Sequence, residues 1–531
     1  MATLDTPNPV SAPPASLLAR LRPTGSLSAY AATLLLMSSS LLSGVLGLVR
    51  TKYIAHVFGA GKVTDAYLKA FDLPDMIYYF LVGGVASITL VTILNRYREA
   101  GDEAGADRAL SIVLNAMTAV LTAGIVLAEI FTPLYVHTFA PKFDAETTAL
   151  CISLTRVLLP AQLFFFVGGV LGSRLLVRKI FIYQAITPLI YNLGIILGGV
   201  FLSARYGIYS LAIGAVVGAC LGSALLNALG VFRGGMRYHA ILNFHDPAFT
   251  EWLRLSLPLI VGVSLTMADK WILGYYASAD KGAITRLNTA KTLFNAPLSI
   301  IGFAAGAASL PFFSSLFAQD RMYDFNAAVS RSVSRLLAVS VLLTGWMIAL
   351  AMPIVDLLRG GAFTHDDAVS TARYMALFAV SLALWAAQGI YARAFYAARN
   401  TLTPAISGTA VTLLSIPVYG TLFHHIGIDG LAIASDLGIL AHTLSLAVLL
   451  HKKRLVSIAS LESGELLRSL GAAILGFFGA RSVVRLLPLG KGHLADVLVI
   501  LAASIVWAGL CYATLQLSGS RLIDQLRRRG K

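Results

Sequence analysis

Several charged residues interrupt long apolar stretches of this 531-residue chain. The basic ones are Arg50, Lys52, Lys69, Lys270 and Lys291, and the acidic ones are Asp65, Asp72 and Asp269. A charge at the middle of a bilayer costs from about 3 to over 10 kcal/mol unless it faces water or a partner. The excess of basic groups suits an anion, and phosphate groups are the usual biological choice. We therefore expect a solvated cavity for a phosphate-bearing ligand.

The neighbours Asp269 and Lys270 cannot pair with each other on one helix, because adjacent side chains point about 100° apart. Each is expected to find a partner or water elsewhere. For Asp65 and Asp72 two alternatives stay open, an ion pair with a neighbouring base or a role in coupling. Arg481 also falls inside an apolar stretch. Other arginines are expected to be helix-end residues that extend to the membrane surface.

The elements that position these charges are predicted membrane spans. Hydrophobic residues make up 57% of the chain and charged residues 13%, with a mean hydropathy of +0.77, which excludes a soluble protein. Apolar stretches of about 20 to 25 residues match the thickness of a bilayer. The predicted spans are 28–50, 68–95, 109–136, 147–173, 181–204, 208–232, 252–277, 285–318, 328–358, 369–397, 402–424, 428–451, 466–488 and 493–517. The predicted fold is all-α and polytopic, with about 14 transmembrane helices.

The distribution of Lys and Arg predicts the orientation. The net charge of +15 comes from short segments between spans and not from a basic domain, which argues against nucleic acid as a partner. Basic residues are about twice as frequent on the side that holds both termini. The basic residues of that side include Arg96, Arg98, Arg174, Arg178, Arg233, Arg237, Lys452, Lys453 and Arg527. Both termini are therefore expected in the cytoplasm.

Other chemistries receive no support from the sequence. It contains no Gly-Lys-Ser/Thr nucleotide loop, so any transport is expected to use an ion or voltage gradient or a partner. The histidines show no metal-ligand spacing, and Cys151, Cys220 and Cys511 form no CxxC motif. No cofactor or metal is expected. An enzyme would need a catalytic group in a large outer loop, and none is predicted, so a transporter is favoured.

A short pattern recurs about six spans apart. Residues 69–74 (KAFDLP) and 291–297 (KTLFNAP) each follow a polar hairpin and place a Lys before Phe, then Asp or Asn, and then Pro. Transporters are often built from such repeats around a central site. We expect two pseudo-symmetric six-helix lobes, 28–235 and 236–455, and a C-terminal helix pair, 456–518. A disordered cytoplasmic tail at 1–27 and a basic cytoplasmic tail at 519–531 complete the predicted organisation.

The chain resembles the MurJ/MviN lipid II flippases of the multidrug/oligosaccharidyl-lipid/polysaccharide exporter superfamily. The resemblance begins with residues 43–50 (SGVLGLVR), 58–61 (FGAG), 64–66 (TDA) and 70–74 (AFDLP), and continues with 243–246 (NFHD) and Pro258. Its most specific part is 359–364 (RGGAFT), followed by 393–397 (RAFYA) and 401–404 (TLTP). It covers essentially the whole chain after the first residues.

The resemblance implies a two-lobed transporter of the bacterial inner membrane that moves a polyprenyl-pyrophosphate-linked peptidoglycan precursor by alternating access. A cationic cavity would hold the pyrophosphate, and a groove near spans 13 and 14 would hold the lipid tail. Arg50 and Asp65 match family positions, and Lys291 stands where the family has an arginine. Membrane lipids and cell-wall synthesis proteins would be further partners.

The chain also departs from the family pattern. Gly44, Thr51, Tyr78 and Tyr79 occupy positions where the family carries charged residues, while Lys69 and Lys270 are possible substitutes. Residues 268–274 (ADKWILG) instead resemble polysaccharide-unit flippases of the same superfamily. A flippase for another polyprenyl-linked oligosaccharide therefore remains an alternative. A drug or cation antiporter fits less well, because it would need an acidic cavity.

Overall fold

The computed structural model describes residues 29–79, 85–260, 265–487 and 492–523. Within these ranges the chain is almost entirely helical, and its only β-type pairing is an isolated bridge between Gly360 and Phe363. The predicted tail at 1–27 and most of the basic tail, from residue 524 on, lie outside the described residues.

The helices follow one another with short connections. Those of the first half are α1 Ala29–Phe58, α2 Lys62–Ala70, α3 Asp72–Ile77, α4 Val85–Glu99, α5 Glu103–Phe139, α6 Ala145–Leu158, α7 Ala161–Val177, α8 Ile182–Tyr206, α9 Tyr209–Ala219 and α10 Leu226–Arg233. Those of the second half are α11 Pro247–Ile260, α12 Leu265–Ala277, α13 Ala283–Ala318, α14 Met322–Asp356, α15 His365–Val380, α16 Leu382–Ala397, α17 Leu402–Ile426 and α18 Ile428–Lys452. The last two are α19 Ser463–Leu486 and α20 His493–Leu517.

The described helices confirm a polytopic helical membrane protein. Ten helical stretches are long and apolar enough to cross a bilayer, or eleven when the pair α15 and α16, bent by 43°, is taken as one. These eleven coincide with predicted spans. The other three predicted spans, 68–95, 252–277 and 285–318, each include residues whose backbone or side chains lie outside the described part. That these three segments cross the membrane completely stays a prediction.

Large apolar side chains cover the outer surface of the helices. Phe201, Leu414 and Ile505 are more than 70% exposed. A soluble protein rarely exposes apolar side chains so extensively, whereas a bilayer solvates them. The exposed apolar surface therefore supports the same conclusion as helix length.

The helices pack around separate cores in the two halves. Val113, Phe166 and Leu211 are fully buried in the first half, and Phe378 and Phe395 in the second. The final pair, α19 and α20, packs against α14. The division into two lobes and a terminal pair is compatible with these cores and stays a prediction in its boundaries.

The segment 236–256 packs against the first half, although the predicted boundary places it in the second. Trp252 of α11 is 1% exposed within the first-half core. The Asn115 side-chain amide donates to the carbonyls of His239 and Ile241, both at 2.9 Å. The Thr89 and Ser256 hydroxyls lie 2.9 Å apart. The connection between the halves is thus held to the first half up to α11.

Helices α8 and α9 approach each other at four glycines. A Cβ atom at Gly194 would lie 2.7 Å from the Cα of Gly218, and one at Gly198 would lie 2.7 Å from the Cα of Gly214. Contacts this short leave no room for any side chain. Small residues four apart on two helices allow this backbone contact, which is a common means of helix association in membranes.

Candidate functional site

A cavity of about 240 Å³ lies between the two halves. Helices α1, α2, α3 and α8 of the first half and α12 and α13 of the second contribute to its wall. The lining residues are Arg50, Thr51, Ile54, Ala55, Thr64, Tyr67, Leu68, Phe71, Asp75, Tyr191, Lys270, Thr285, Asn288, Thr289 and Thr292. A smaller cavity of about 50 Å³ adjoins it and shares Leu68, Lys270 and Asn288.

Arg50 lies in the wall of the larger cavity. It makes no ion pair with any described residue, and the aromatic rings of Tyr67 and Tyr191 line the same cavity. A guanidinium group presents a planar set of donors that matches the oxygens of a phosphate. Arg50 is therefore the basic side chain of the cavity that is most available to an anion.

Lys270 crosses the cavity from α12 to the first half. Its ammonium lies 2.6 Å from a carboxylate oxygen of Asp75 and 3.3 Å from one of Asp72. The expectation that Lys270 needs a partner away from Asp269 is met by these two acids. Asp75 was not among the predicted site residues, although it follows Asp72 by three positions and so lies on the same helix face.

Lys69 is a buried ion-pair partner of Asp72. Its ammonium lies 2.9 Å from Asp72, and both side chains are at most 3% exposed. A Cβ atom at position 274 would lie 2.8 Å from this ammonium, so Gly274 leaves the space that Lys69 occupies. Lys69 lines the smaller cavity together with Lys270 and Lys291.

Lys291 pairs with Asp269 inside the second half. The Tyr419 hydroxyl donates to the other oxygen of Asp269, and the Lys291 ammonium lies 4.9 Å from the centre of the Phe378 ring. Both a carboxylate and an aromatic face therefore stabilise this ammonium. Its cavity contact is with the smaller space only.

The charges of the cavity are more balanced than the sequence suggested. Lys69, Lys270 and Lys291 all have carboxylate partners, whereas neither Arg50 in the cavity wall nor Lys52 outside it has one among the described residues. The prediction of a cationic cavity rested on the excess of basic over acidic residues, and Asp75 was not among the predicted site residues. Pairing across helices then offsets most of the positive charge in this state of the molecule.

Asp65 joins the two halves at one end of the cavity. Its carboxylate accepts hydrogen bonds from the backbone N–H of Gly282 at 2.5 Å, the N–H of Thr285 at 2.8 Å and the Thr285 hydroxyl at 2.6 Å. The first N–H groups of a helix have no partner within it, and their dipoles favour a negative charge. Asp65 of α2 therefore caps the N-terminus of α13. We call this the Asp65 end of the cavity.

Lys52 lies at the same end and outside the cavity wall. Its ammonium donates to the carbonyl of Leu357 at 2.8 Å. Nearby, the N–H of Ala362 donates to the carbonyl of His56 at 2.8 Å. These bonds tie the end of α1 to the loop after α14. The structure thus brings Arg50, Lys69, Lys270 and Lys291 together and places Lys52 with the contacts that close the Asp65 end.

One face of α13 contributes polar residues that sequence reasoning missed. Thr285, Asn288, Thr289 and Thr292 all line the larger cavity. Their spacing of three and four residues places them on one side of a helix. That periodicity was a usable signal, because a polar stripe within an apolar span usually faces water or a ligand.

The chain matches a family model described as "Lipid II flippase MurJ" over residues 54–489. A probable lipid II flippase MurJ of Thermotoga maritima is 24% identical over 416 residues, covering 78% of this chain and 84% of the relative. The lipid II flippase MurJ of Burkholderia cenocepacia is 26% identical over 445 residues, covering 80% and 84%.

Solved structures share the fold. A structure titled "Lipid II flippase MurJ, inward closed conformation" superposes with a TM-score of 0.75 at 23% identity, covering 91% of this chain and 99% of that one. An inward-facing multidrug resistance MATE family transporter of the MOP superfamily gives 0.64 at 13% identity, covering 80% and 98%.

Proposed function

The chain belongs to the lipid II flippase MurJ family, and from this premise we propose that it moves lipid II across the membrane by alternating access. Lipid II is the polyprenyl-pyrophosphate-linked precursor of peptidoglycan. The chain acts as a transporter and not as an enzyme. The observation that carries the proposal is a cavity between the two halves, closed at the Asp65 end and lined by an arginine that has no acidic partner in the described part of the chain.

The size of the cavity requires a conformational change. Sites for small ligands usually measure about 300 to 1,000 Å³, whereas this cavity measures about 240 Å³. A disaccharide-pentapeptide exceeds the usual drug-sized ligand. The described state is therefore one in which the halves lie close together, and the cargo enters a wider form of the same space.

The basic side chains divide into three roles. Arg50 makes the first contact with the pyrophosphate, because no carboxylate in the described ranges is paired with it. Lys270, Lys69 and Lys291 reach the same anion after giving up their acidic partners, and Asp72, Asp75 and Asp269 hold these ammonium groups in place while the cavity is empty. Asp65 and Lys52 hold the Asp65 end closed.

The orientation follows from the basic segments between spans. Both termini lie in the cytoplasm, the membrane is the bacterial inner membrane, and the Asp65 end faces the periplasm. The cargo then enters from the cytoplasmic leaflet and leaves at the Asp65 end once its contacts open.

Replacement of a host's own lipid II flippase tests the proposal. We expect this chain to restore growth when that flippase is depleted, and Arg50→Ala to lower transport of lipid II into vesicles by about tenfold or more, since a charge-assisted contact with phosphate is worth about 1.5–3 kcal/mol. Arg50→Lys keeps the charge and should retain part of the activity.

Arg205→Ala is the matched control, because Arg205 is an exposed arginine on α8 that lines neither cavity. Normal membrane insertion without restored growth, together with transport of another polyprenyl-linked oligosaccharide, would overturn the assignment of lipid II as cargo. Equal transport by wild type and Arg50→Ala would overturn the role of Arg50.

A further inference from the structure

We propose that a pocket between α14, α15 and α19 binds the phosphate of one anionic phospholipid from the surrounding membrane. The pocket measures about 670 Å³ and is separate from the cavity between the halves. Four of its lining residues are Arg373, Arg481, Arg485 and His365. No step of the proposed transport uses them.

Two of these arginines lack partners. Arg481 and Arg485 form no ion pair or hydrogen bond with any described residue, and their spacing of four places them on one face of α19. Arg373 pairs with Asp429, and its side chain is 69% exposed. Arg481 and Arg485 thus line the pocket on one helix face without a carboxylate partner among the described residues, and an anion bound beside them offsets their mutual repulsion.

The depth of the pocket fits a lipid headgroup. α14 ends at Asp356, α15 begins at His365 and α19 ends at Leu486, so the pocket lies within about three turns of three helix ends. This is the Asp65 end, because the loop after α14 also carries Leu357 and Ala362. Phosphates of a bilayer lie at the level of helix ends.

The remaining wall favours a lipid over free phosphate. Ile348, Met352 and Val369 line the pocket, as does Phe478, which is 61% exposed. Below it, α19 continues an exposed apolar face with Ile474 and Leu470, each 47% exposed. An acyl chain can lie along this face while the phosphate contacts the arginines. A free phosphate would leave the apolar wall unused.

Native mass spectrometry of the full chain tests this site with phosphatidylglycerol, phosphatidylcholine and inorganic phosphate as separate probes. We expect one phosphatidylglycerol to bind saturably and phosphatidylcholine to bind more weakly. The double variant Arg481→Ala with Arg485→Ala should bind phosphatidylglycerol about 30-fold more weakly, as expected for the loss of two basic groups near an anionic lipid. The pair Arg481→Lys with Arg485→Lys should keep part of the binding.

Arg205→Ala, which removes an exposed arginine outside the pocket, should leave this binding unchanged. Equal retention of phosphatidylglycerol by wild type and the alanine double variant would overturn the proposal. So would equal binding of the two phospholipids, or displacement of the lipid by inorganic phosphate at similar concentration, which would indicate a free-phosphate site. Thermal unfolding in detergent shows that each variant is folded.

Discussion

The two copies of the sequence repeat make different contacts. In the first copy, Asp65 is the fourth residue of α2 and crosses to the other half, where it caps α13. In the second copy, Arg286 is the fourth residue of α13 and pairs with Asp280 and Asp367 in its own half. The fourth residue of the helix therefore serves the interface between the halves in α2 and an internal scaffold in α13.

The lysines of the repeat extend this comparison. Lys291 pairs with Asp269 within the second half, so its partner moves with it. The first copy supplies Asp72, which accepts both Lys69 of its own half and Lys270 of the other. Contacts between the two halves, which must break during alternating access, are thus concentrated on the first copy, whereas the Lys291–Asp269 pair exchanges only with cargo. The second copy is expected to govern stability more than conformation.

The largest effect is expected for Lys291→Ala. Removing the ammonium leaves Asp269, whose side chain is 5% exposed, as a buried carboxylate without its basic partner. Breaking a buried pair in this way costs about 3–5 kcal/mol. We expect a clear drop in thermal stability in detergent. The double variant Lys291→Ala with Asp269→Asn should recover much of the lost thermal stability. An unchanged melting temperature for Lys291→Ala would show that the second copy does not stabilise the fold.

Asp65→Ala is expected to change conformation more than stability. It leaves the N–H groups of Gly282 and Thr285 without their acceptor, which costs the closed form about 2–4 kcal/mol. Labelling of Asn288→Cys, a cavity position, by a membrane-impermeant maleimide measures opening, in a background without the three native cysteines. Labelling from the Asp65 side should rise. If it stays at the level of the Asp65-containing protein, the cap does not hold this end closed.

Gly361→Ala tests a second contact between the halves. A Cβ atom at Gly361 would collide with the carbonyl of His56, and its φ of +60° is also strained for alanine. Gly427→Ala is the matched control, with a φ of +63° and nothing within 4 Å of the added atom. We expect Gly361→Ala to destabilise the closed form by about 1–3 kcal/mol more than Gly427→Ala does. Equal labelling of Asn288→Cys in the two variants would argue against this contact.

The smallest effect is expected for Arg286→Ala. Its partner Asp280 is 55% exposed, and an exposed pair contributes about 0–1 kcal/mol. Its other partner, Asp367, is 10% exposed but keeps its hydrogen bonds from Thr364 when Arg286 is removed, and both pairs lie within one half. Thermal unfolding should shift only slightly, and labelling of Asn288→Cys should stay unchanged. A large gain in labelling would show that both copies of the repeat control the interface.

Much of the fold could be predicted from the sequence, because a membrane helix is recognised by its length and apolar composition. The cluster of Arg50, Lys69 and Lys270 was also predictable, since charges in apolar spans need a wet or paired environment. The residues with which these charges pair could not be predicted. Asp75 and Lys270 are 195 positions apart, and Asp65 and Gly282 are 217 apart. Such contacts depend on how two halves meet, which local patterns do not encode.

The glycine contact between α8 and α9 has a mechanical consequence. Backbones that touch at Gly194 and Gly218 cannot slide or rotate against each other without a collision. A Cβ atom at Gly218 would also lie 2.9 Å from the carbonyl of Tyr191, whose ring forms part of the cavity wall. The two helices therefore move as one rigid unit. The aromatic surface that they contribute to the cavity wall keeps its position relative to both of them. Widening of the central space must then come from movement of the other helices in its wall.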